Sequence, residues 1–254
     1  TTRHLAEFWM IEPEMCFINL HDLMNIAEDY IKYCLNACLT ECNDEILFFT
    51  KHYKSSLYED LKIMVIKPFE RMTYREVIDS INKDIKEGKA IIKQPECTSK
   101  TFKKLAKGKH VFEGPLNTPD NLLPDNYDLD SEHEKYIVNK SKGIVIVSDY
   151  PKEIKSFYMK ENKDGKTVQA MDILVPDIGE LVGGSMREEN YSNLKQKMED
   201  KNIDIPWYLD IRKYGSVPHG GFGLGFERLI MLVSGLPNIK DSIPFPRFPK
   251  HCDC

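Results

Sequence analysis

The sequence predicts an α+β fold, and two kinds of pattern support that prediction. Two strand-type segments, 155–159 and 168–174, flank residues 162–165, a polar stretch ending in glycine that is typical of a hairpin turn. Several segments with the apolar spacing of an amphipathic helix are interleaved with the predicted strands. Periodicity therefore indicates hairpin-type strand pairs with helices around them.

A strand is predicted close to the start of the chain. Apolar alternation over 4–11 places Phe8, Met10 and then Glu12 on one face. Glu14 follows two residues later. These acids are either solvated groups on an edge strand, or they line a pocket together with an aromatic platform.

Helices dominate the segment that follows. An apolar stripe predicts a helix over 19–39, and a second helix is expected over 56–66. Thr73 and Glu76 have the spacing of a capping box, so a third helix begins there and ends at Gly88.

Strands and helices alternate in the second half of the chain. A capping box at Ser131 predicts another helix, and the β-branched run at 143–147 predicts a buried strand. A charged amphipathic helix is expected over 188–202. A glycine-rich extended run then covers 219–225, and Gly235 stops the buried helix that follows it.

Composition limits the class of protein without identifying it. The 254 residues form one large domain or two small ones, and 41% hydrophobic with 30% charged residues is ordinary for a soluble globular protein. A net charge of -5 means that any nucleic-acid partner must use a local basic surface. The seven cysteines form no regular framework, which favours a reducing compartment. No apolar run is long enough to span a bilayer, and no signal peptide is recognised.

The segment 89–127 is polar and rich in lysine. Four of its lysines are grouped around one glycine: Lys103, Lys104, Lys107 and Lys109. A solvated insertion loop is the favoured interpretation, and a contact with a phosphate backbone is the alternative.

The glycine-rich run near the C-terminus carries the first chemical signal. Its glycines permit close approach of a ligand or of another backbone. Glu227 and Arg228 stand at the junction with the helix, and the rigid fork of an arginine suits phosphate. The alternative is a structural Glu–Arg ion pair.

A second signal is a group of acids in an apolar context. Asp172, Asp177 and Glu180 precede two glycines, and Arg187 follows. Carboxylates of this kind hold Mg²⁺ together with substrate phosphates, whereas the alternative is a plain bulge beside a loop acid. The sequence shows no convincing Ser/His/Asp or Cys/His nucleophile system.

Three stretches resemble one family, the class II aminoacyl-tRNA synthetases of the aspartyl/asparaginyl branch. Residues 214–228 resemble motif 3 and are closest to the asparaginyl enzymes, and 180–187 resembles the E-x-x-G-G-S-x-R signature. Residues 3–14 resemble the second half of motif 2. The upstream half, motif 1 and the anticodon-binding domain are not in the sequence. Residues 1–254 therefore resemble a catalytic domain that begins inside motif 2, with 89–127 as an insertion.

The resemblance implies a role for each matching residue. Phe8 would stack on adenine, and Glu12 would accept the amide of the amino acid. The implied catalytic residues are Arg3 and Arg228; the implied ATP-binding residues are Arg3, His4, Phe8, Asp172, Glu180 and Arg228; the implied amino-acid-binding residues are Glu12, Arg187, Gly220 and Gly221; the implied Mg²⁺ ligands are Glu180 and Asp172.

The resemblance also implies a reaction, a fold and partners. The fold would be a mainly antiparallel sheet flanked by helices. The activity would be ligation of asparagine to tRNA(Asn) through an adenylate, with ATP as substrate, Mg²⁺ as cofactor, a homodimer in the full-length protein, and a cytoplasmic or organellar location. An aspartate–tRNA ligase, a tRNA-independent asparagine synthetase and a non-catalytic module remain alternatives. Without the upstream motif 2 arginine, 1–254 alone is expected to form adenylate poorly.

Overall fold

The computed structural model describes residues 2–93, 109–113 and 122–252. Its helices are α1 (Leu20–Glu41), α2 (Asn43–His52), α3 (Leu57–Ile66), α4 (Tyr74–Lys86), α5 (Ser131–Ser141), α6 (Tyr191–Asp200), α7 (Pro206–Lys213) and α8 (Phe226–Ser234). Its strands are β1 (Met10–Ile11), β2 (Glu14–Cys16), β3 (Glu70–Thr73), β4 (Ala90–Lys93), β5 (His110–Glu113), β6 (Val145–Pro151), β7 (Thr167–Val175), β8 (Gly179–Met186) and β9 (His219–Gly225).

Seven of these strands form one sheet with the order β1-β9-β8-β7-β6-β3, and β2 also pairs with β9. Every pairing in it is antiparallel except that of β3 with β6. A separate parallel pair joins β4 to β5. The expected fold class is confirmed: a mainly antiparallel sheet flanked by helices.

Helices cover both faces of the large sheet, which explains the uninterrupted apolar run in β6. Ile146 packs into a core with α1, α3 and α8, whereas its neighbours Val145 and Val147 pack into a second core with α4 and α5. Because side chains alternate across a strand, a strand buried on both faces must be apolar at every position. No helix within the described ranges is long and apolar enough to cross a membrane.

Several predicted helix ends are confirmed. Asn19 caps α1 by accepting hydrogen bonds from the second and third helical amides. Thr73 and Glu76 form the predicted capping box of α4. Gly235 ends α8 in the left-handed conformation that glycine adopts most readily, with a φ of 69°. The cap of α5, however, is Asp130 rather than the predicted Ser131, because the Asp130 carboxylate accepts from the amides of Glu132 and His133.

The strand predicted over 4–11 is wrong for most of its length. Strand pairing covers only Met10–Ile11 and Glu14–Cys16. Upstream, the Ala6 amide donates to the Arg247 carbonyl and the Trp9 amide donates to the Glu227 carboxylate. The backbone donors of this segment are therefore bound by groups outside any strand.

The hairpin predicted between 155–159 and 168–174 is right at its turn and wrong in its length. The Gly165 amide donates to the Asn162 carbonyl, and an antiparallel bridge joins Glu161 to Val168. From Met171 to Leu174, however, β7 pairs with β6 on one side and β8 on the other, so neither edge is left for 155–159. That segment forms a loop, attached by an isolated bridge between Met159 and Arg187. Helices α2 and α7 were not predicted, although Pro206 at the start of α7 is a recognisable signal. The insertion predicted over 89–127 lies mostly outside the described residues, as do Lys103, Lys104 and Lys107.

Candidate active site

Two adjoining cavities open where the N-terminal segment meets strands β8 and β9. The first has a volume of about 240 Å³ and is lined by Arg3, His4, Phe8, Glu180 and Arg228, among others. The second measures about 380 Å³ and includes among its lining residues Glu12, Lys155, Tyr158, Asp172, Glu180 and Arg187. Met10, Glu180 and Gly223 line both, so the cavities are parts of one site.

The register of strands β7, β8 and β9 brings together the residues between the two cavities. Asp172 on β7 is paired with Gly183 on β8, and Gly183 is paired with Gly223 on β9. A Cβ atom at position 183 would lie 2.8 Å from Glu180 Oε1 and 3.5 Å from Asp172 Oδ1. The glycine therefore leaves the space toward which both carboxylates are directed.

Glu227 and Arg228, the charged pair at the start of α8, bind different partners. Arg228 Nη1 donates to the Glu180 carbonyl at 2.6 Å and lies 3.6 Å from Glu180 Oε2. Glu227 is buried and accepts from the Trp9 amide at 3.0 and 3.1 Å. The two side chains thus bind different segments, and Glu227 anchors the N-terminal segment that carries Phe8.

Phe8, His4 and Arg3 form the outer part of the first cavity. The Phe8 side chain is 55% exposed, which leaves its ring available for stacking. Arg3 Nη1 lies 3.5 Å from Glu134 Oε2 and also donates to the Ile178 carbonyl. Burial and the nearby guanidinium groups of Arg228 and Arg3 lower the pKa of His4, so this imidazole is neutral at physiological pH.

The centre of the site is acidic. Burial, followed by the charge of Asp172, raises the pKa of Glu180 above its usual range, against the opposing effects of Arg228 and Lys155. Burial raises the pKa of Glu134 as well, although the Glu180 amide that it binds opposes this. A raised pKa means that the folded protein disfavours the ionised carboxylate, so a cation placed here would be stabilised.

These residues fit a magnesium ion that is held partly by substrate. Among the residues that the structure describes, no group of three or more His, Cys, Asp or Glu side chains is arranged as a complete metal site. Mg²⁺ in nucleotide sites uses one or two carboxylates plus phosphate oxygens. The Glu180 side chain is 41% exposed to the cavity, whereas Asp172 is bound by Lys155 Nζ at 2.6 Å. Glu180 is therefore the better-placed ligand of the two.

Arg187 is fixed before any ligand arrives. Its Nη2 and Nε donate to Glu14 Oε1 at 2.6 and 3.1 Å, its Nη1 donates to Ser185 Oγ at 2.6 Å, and its guanidinium group lies 5.2 Å from the Tyr158 ring centre. Glu12 is exposed and lines the same cavity. Their implied roles toward an amino acid stay predictions.

The structure does not bring Gly220 and Gly221 to the walls of either cavity. A Cβ atom at position 220 would lie 2.7 Å from Met186 Sδ, and one at 221 would lie 2.5 Å from the Pro13 carbonyl oxygen. Both glycines therefore permit close packing of β9 against its neighbours. Asp177 also lies elsewhere, because its carboxylate binds Lys54 at 2.9 Å.

Sequence reasoning gave no specific role to four residues that the structure places in or beside the site. They are Glu14, Glu134, Lys155 and Tyr158. Glu14 is one of the two acids near Pro13 for which the sequence left open a solvated edge strand or a pocket, and Glu134 lies in the first turn of the helix predicted from Ser131. Lys155 and Tyr158 lie in a segment predicted to pair with the strand that contains Asp172, but strand pairing alone gives neither side chain a role in a pocket.

Comparison with known proteins agrees with this geometry. The family described as tRNA synthetases class II (D, K and N) matches residues 1–249. The asparagine–tRNA ligase of Porphyromonas gingivalis is 46% identical over 257 residues, covering 100% of this chain and 49% of that protein. The structure of asparaginyl-tRNA synthetase from Pyrococcus horikoshii complexed with asparaginyl-adenylate has a TM-score of 0.78 at 32% identity, covering 99% of this chain and 50% of that one.

A solved structure from the aspartyl branch is also similar. The aspartyl-tRNA synthetase of Entamoeba histolytica has a TM-score of 0.77 at 25% identity, covering 100% of this chain and 46% of that one. The chain spans about half the length of the relatives that it matches. Because the family match extends over nearly every residue, the chain belongs to the class II tRNA synthetases (D, K and N).

Proposed function

We propose that this chain supplies the catalytic site of an asparagine–tRNA ligase, which joins asparagine to tRNA(Asn) through an asparaginyl-adenylate. One observation carries the proposal: a cavity with an exposed aromatic ring and two arginines adjoins a second cavity with a fixed arginine, and Glu180 lines both. This arrangement suits a reaction between a nucleotide and an amino acid. The relative from Porphyromonas gingivalis bears the same activity in its name.

The first step forms the adenylate. An oxygen of the asparagine carboxylate attacks the α-phosphorus of ATP, and the bond from that phosphorus to pyrophosphate breaks. The attacking carboxylate is already ionised, so the step requires positioning and charge neutralisation rather than a protein base. Phe8 would hold one face of adenine, while Arg228 and Arg3 offer cations to the polyphosphate or, for Arg228, to the other face of adenine.

Magnesium, held by Glu180 with Asp172, would supply further neutralisation of the phosphate charge when bound. Arg228 donates to the Glu180 carbonyl, which holds this guanidinium at the junction of the two cavities. His4, as a neutral imidazole, can donate one hydrogen bond to a phosphate oxygen without adding charge.

The second step transfers the aminoacyl group to tRNA. A hydroxyl of the 3′-terminal adenosine attacks the carbonyl carbon of the adenylate, and AMP leaves. We assign no side chain to the proton of that hydroxyl. Because the net charge is -5, the tRNA must be held by a local basic surface. The chain matches about half of its relative from Porphyromonas gingivalis, and regions of the full-length protein corresponding to the other half would contribute to tRNA binding.

Charge pairing in the second cavity favours asparagine over aspartate. Its cations are already neutralised, since Lys155 binds Asp172 and Arg187 binds Glu14. Glu12 adds a further negative charge at the wall of the cavity. An amide side chain could accept from Arg187 and donate to Glu12, whereas a carboxylate there would be repelled by Glu12. The aspartate–tRNA ligase is therefore the second candidate.

We further propose that the full-length protein is a homodimer in the cytoplasm, with an organelle as the alternative. The resemblance to the family supports the dimer. The free cysteines among the described residues, Cys16, Cys34, Cys38, Cys42 and Cys252, are consistent with a reducing compartment.

Pyrophosphate exchange by the full-length protein tests the proposal. Radiolabelled pyrophosphate should enter ATP when asparagine is added and enter far more slowly with aspartate. Charging of tRNA(Asn) should follow under the same conditions. Exchange that depends on aspartate instead would support the second candidate, and no exchange with either amino acid would support a non-catalytic module.

A further inference from the structure

Glu134 on α5 joins two elements of the site without lining either cavity. Its Oε2 atom accepts a hydrogen bond from the Glu180 amide at 3.1 Å. The same atom lies 3.5 Å from Arg3 Nη1, and the two side chains are only 16% and 18% exposed. Both partners line the first cavity. One carboxylate oxygen therefore connects a cation of that cavity to the backbone of its central acid.

The turn between β7 and β8 is shaped to permit this contact. Arg3 also donates to the Ile178 carbonyl, so its guanidinium is bound on two sides. Gly179 has a φ of 87°, and a Cβ atom there would overlap Glu134 Oε2 and lie 2.8 Å from Arg3 Nη1. The turn thus carries no side-chain atom at the point where Arg3 and Glu134 meet.

The placement of Glu134 is electrostatically unfavourable in other respects. Its carboxylate is buried and is repelled by Glu180 and Asp172. A neutral glutamine could still accept from the Glu180 amide, by a weaker bond than a carboxylate makes, and would avoid that repulsion. Two groups favour the charge at position 134, the Glu180 amide and Arg3, and of these only the attraction to Arg3 requires it.

We infer that Glu134 is a positioning residue for adenylate formation: its charge holds Arg3 at a set distance from Glu180, so that the phosphate-binding cation and the metal-binding carboxylate meet ATP together. This inference rests on the proposed function. It assigns to α5 an influence on the affinity for ATP that acts through Arg3, and none on the affinity for the amino acid.

Substitution of Glu134 in the full-length protein tests the inference. Glu134→Gln keeps an acceptor for the Glu180 amide and removes the attraction to Arg3. The KM for ATP in pyrophosphate exchange should rise about tenfold, because a charge-assisted contact is lost, while the KM for asparagine changes less than about twofold. Glu134→Asp keeps the charge and should recover part of the loss.

Glu132→Gln is the matched control. It removes the same charge from the same turn of α5 at an exposed position, and it should leave both KM values unchanged. Equal behaviour of Glu134→Gln and Glu132→Gln would overturn the inference. A melting temperature at or above that of the unmodified protein is expected for Glu134→Gln, and a fall accompanied by an equal rise in both KM values would indicate a purely structural role.

A double-mutant cycle asks whether Glu134 acts through Arg3. In an Arg3→Gln background, adding Glu134→Gln should change the KM for ATP less than about twofold, because the partner is already absent. A full additional loss in that background would overturn the inference. If the unmodified protein shows no exchange with asparagine, the proposed function fails, and direct ATP binding then tests Glu134 by itself: weaker binding only in Glu134→Gln still supports it, and equal binding overturns it.

Discussion

Acidic side chains in two regions of this molecule have pKa values shifted in opposite directions, because their surroundings differ. Asp84 on α4 is 3% exposed and is bound by Lys140 and by the Tyr136 hydroxyl. Burial opposes its charge, but these partners prevail and hold the pKa of Asp84 below its usual range. At the centre of the candidate site, burial and mutual repulsion instead raise the pKa of Glu180 and of Glu134.

The difference is between an acid whose charge is fully stabilised by its own partners and acids whose charge is not. The Asp84 charge is balanced by groups of the same chain, so it contributes to folding. Each acid around Glu180 also has a cation within 4 Å, but burial and repulsion between the acids outweigh these contacts for Glu180 and Glu134, so the folded chain alone stabilises their charges poorly. Raised pKa values of this kind are typical of a site that receives a cation with its substrate. The two regions should therefore respond to mutation in opposite ways.

The largest effect is expected from Glu180→Gln. Loss of the carboxylate should reduce asparagine-dependent pyrophosphate exchange about 100-fold or more, since metal-assisted charge neutralisation contributes several kcal/mol to the barrier. The melting temperature should not fall, because the variant removes a charge that folding disfavours. A lower melting temperature of Glu180→Gln together with a normal rate of pyrophosphate exchange would show that Glu180 serves stability rather than catalysis, which contradicts this prediction.

Lys140→Met should act in the opposite sense. It removes the nearer of two cations from the buried Asp84 carboxylate and leaves only Lys89, whose Nζ lies 4.0 Å from Asp84 Oδ1. The free energy of unfolding should decrease by about 1 to 3 kcal/mol, a moderate value because Lys140 is partly exposed. Urea titration measures the change. Exchange activity per folded molecule should be unaffected, and a specific loss of activity would contradict a purely structural role for this pair.

Glu12→Gln tests the wall of the second cavity, where an acid is exposed rather than buried. Removing its charge should lower the preference for asparagine over aspartate by about tenfold, because a carboxylate substrate is no longer repelled. The ratio of exchange rates with the two amino acids measures the effect. Glu7→Gln, an exposed acid that does not line either cavity, serves as control. An unchanged ratio would remove Glu12 from this role.

A smaller effect concerns pH. The pKa of Asp84 is lowered in the folded state, so the pair stabilises the fold fully above the ordinary aspartate value of 3.8 and loses this contribution as pH falls through the folded-state pKa. The stability difference between the unmodified protein and Lys140→Met should therefore be constant at higher pH and narrow below 3.8. Urea titrations at pH 7 and in acid measure the free energy of unfolding of both proteins. A difference that does not change with pH would contradict a stabilising ion pair between Lys140 and Asp84.

Local signals were predictable from the sequence because the groups that form them are neighbours in the chain. Thr73 and Glu76, which are three residues apart, form the cap of α4, and Gly235 immediately follows the last residue of α8. The glycine-rich strand and the helix carrying Arg228 were likewise predictable. All these features depend on interactions within one turn or one strand.

Features that depend on strand pairing were not predictable in the same way. Residues 155–159 have the alternation of a strand, but β7 was already paired on both sides. Lys155 therefore lies in a loop, and its side chain rather than a strand ladder makes the contact with Asp172. The bond between Glu14 and Arg187 joins residues from β2 and from the end of β8, so the sequence shows two acids near Pro13 without showing which of them meets the arginine.

That bond passes across an intervening strand. Glu14, Gly221 and Ser185 are register partners on β2, β9 and β8, and Arg187 lies just beyond Ser185. A Cβ atom at position 221 would overlap the Glu14 carboxyl group. Any larger residue at position 221 would therefore obstruct the route by which Glu14 reaches Arg187, and the orientation of the guanidinium would change. Under the proposed role of Arg187 toward the amino acid, Gly221 would influence binding of the substrate without touching it.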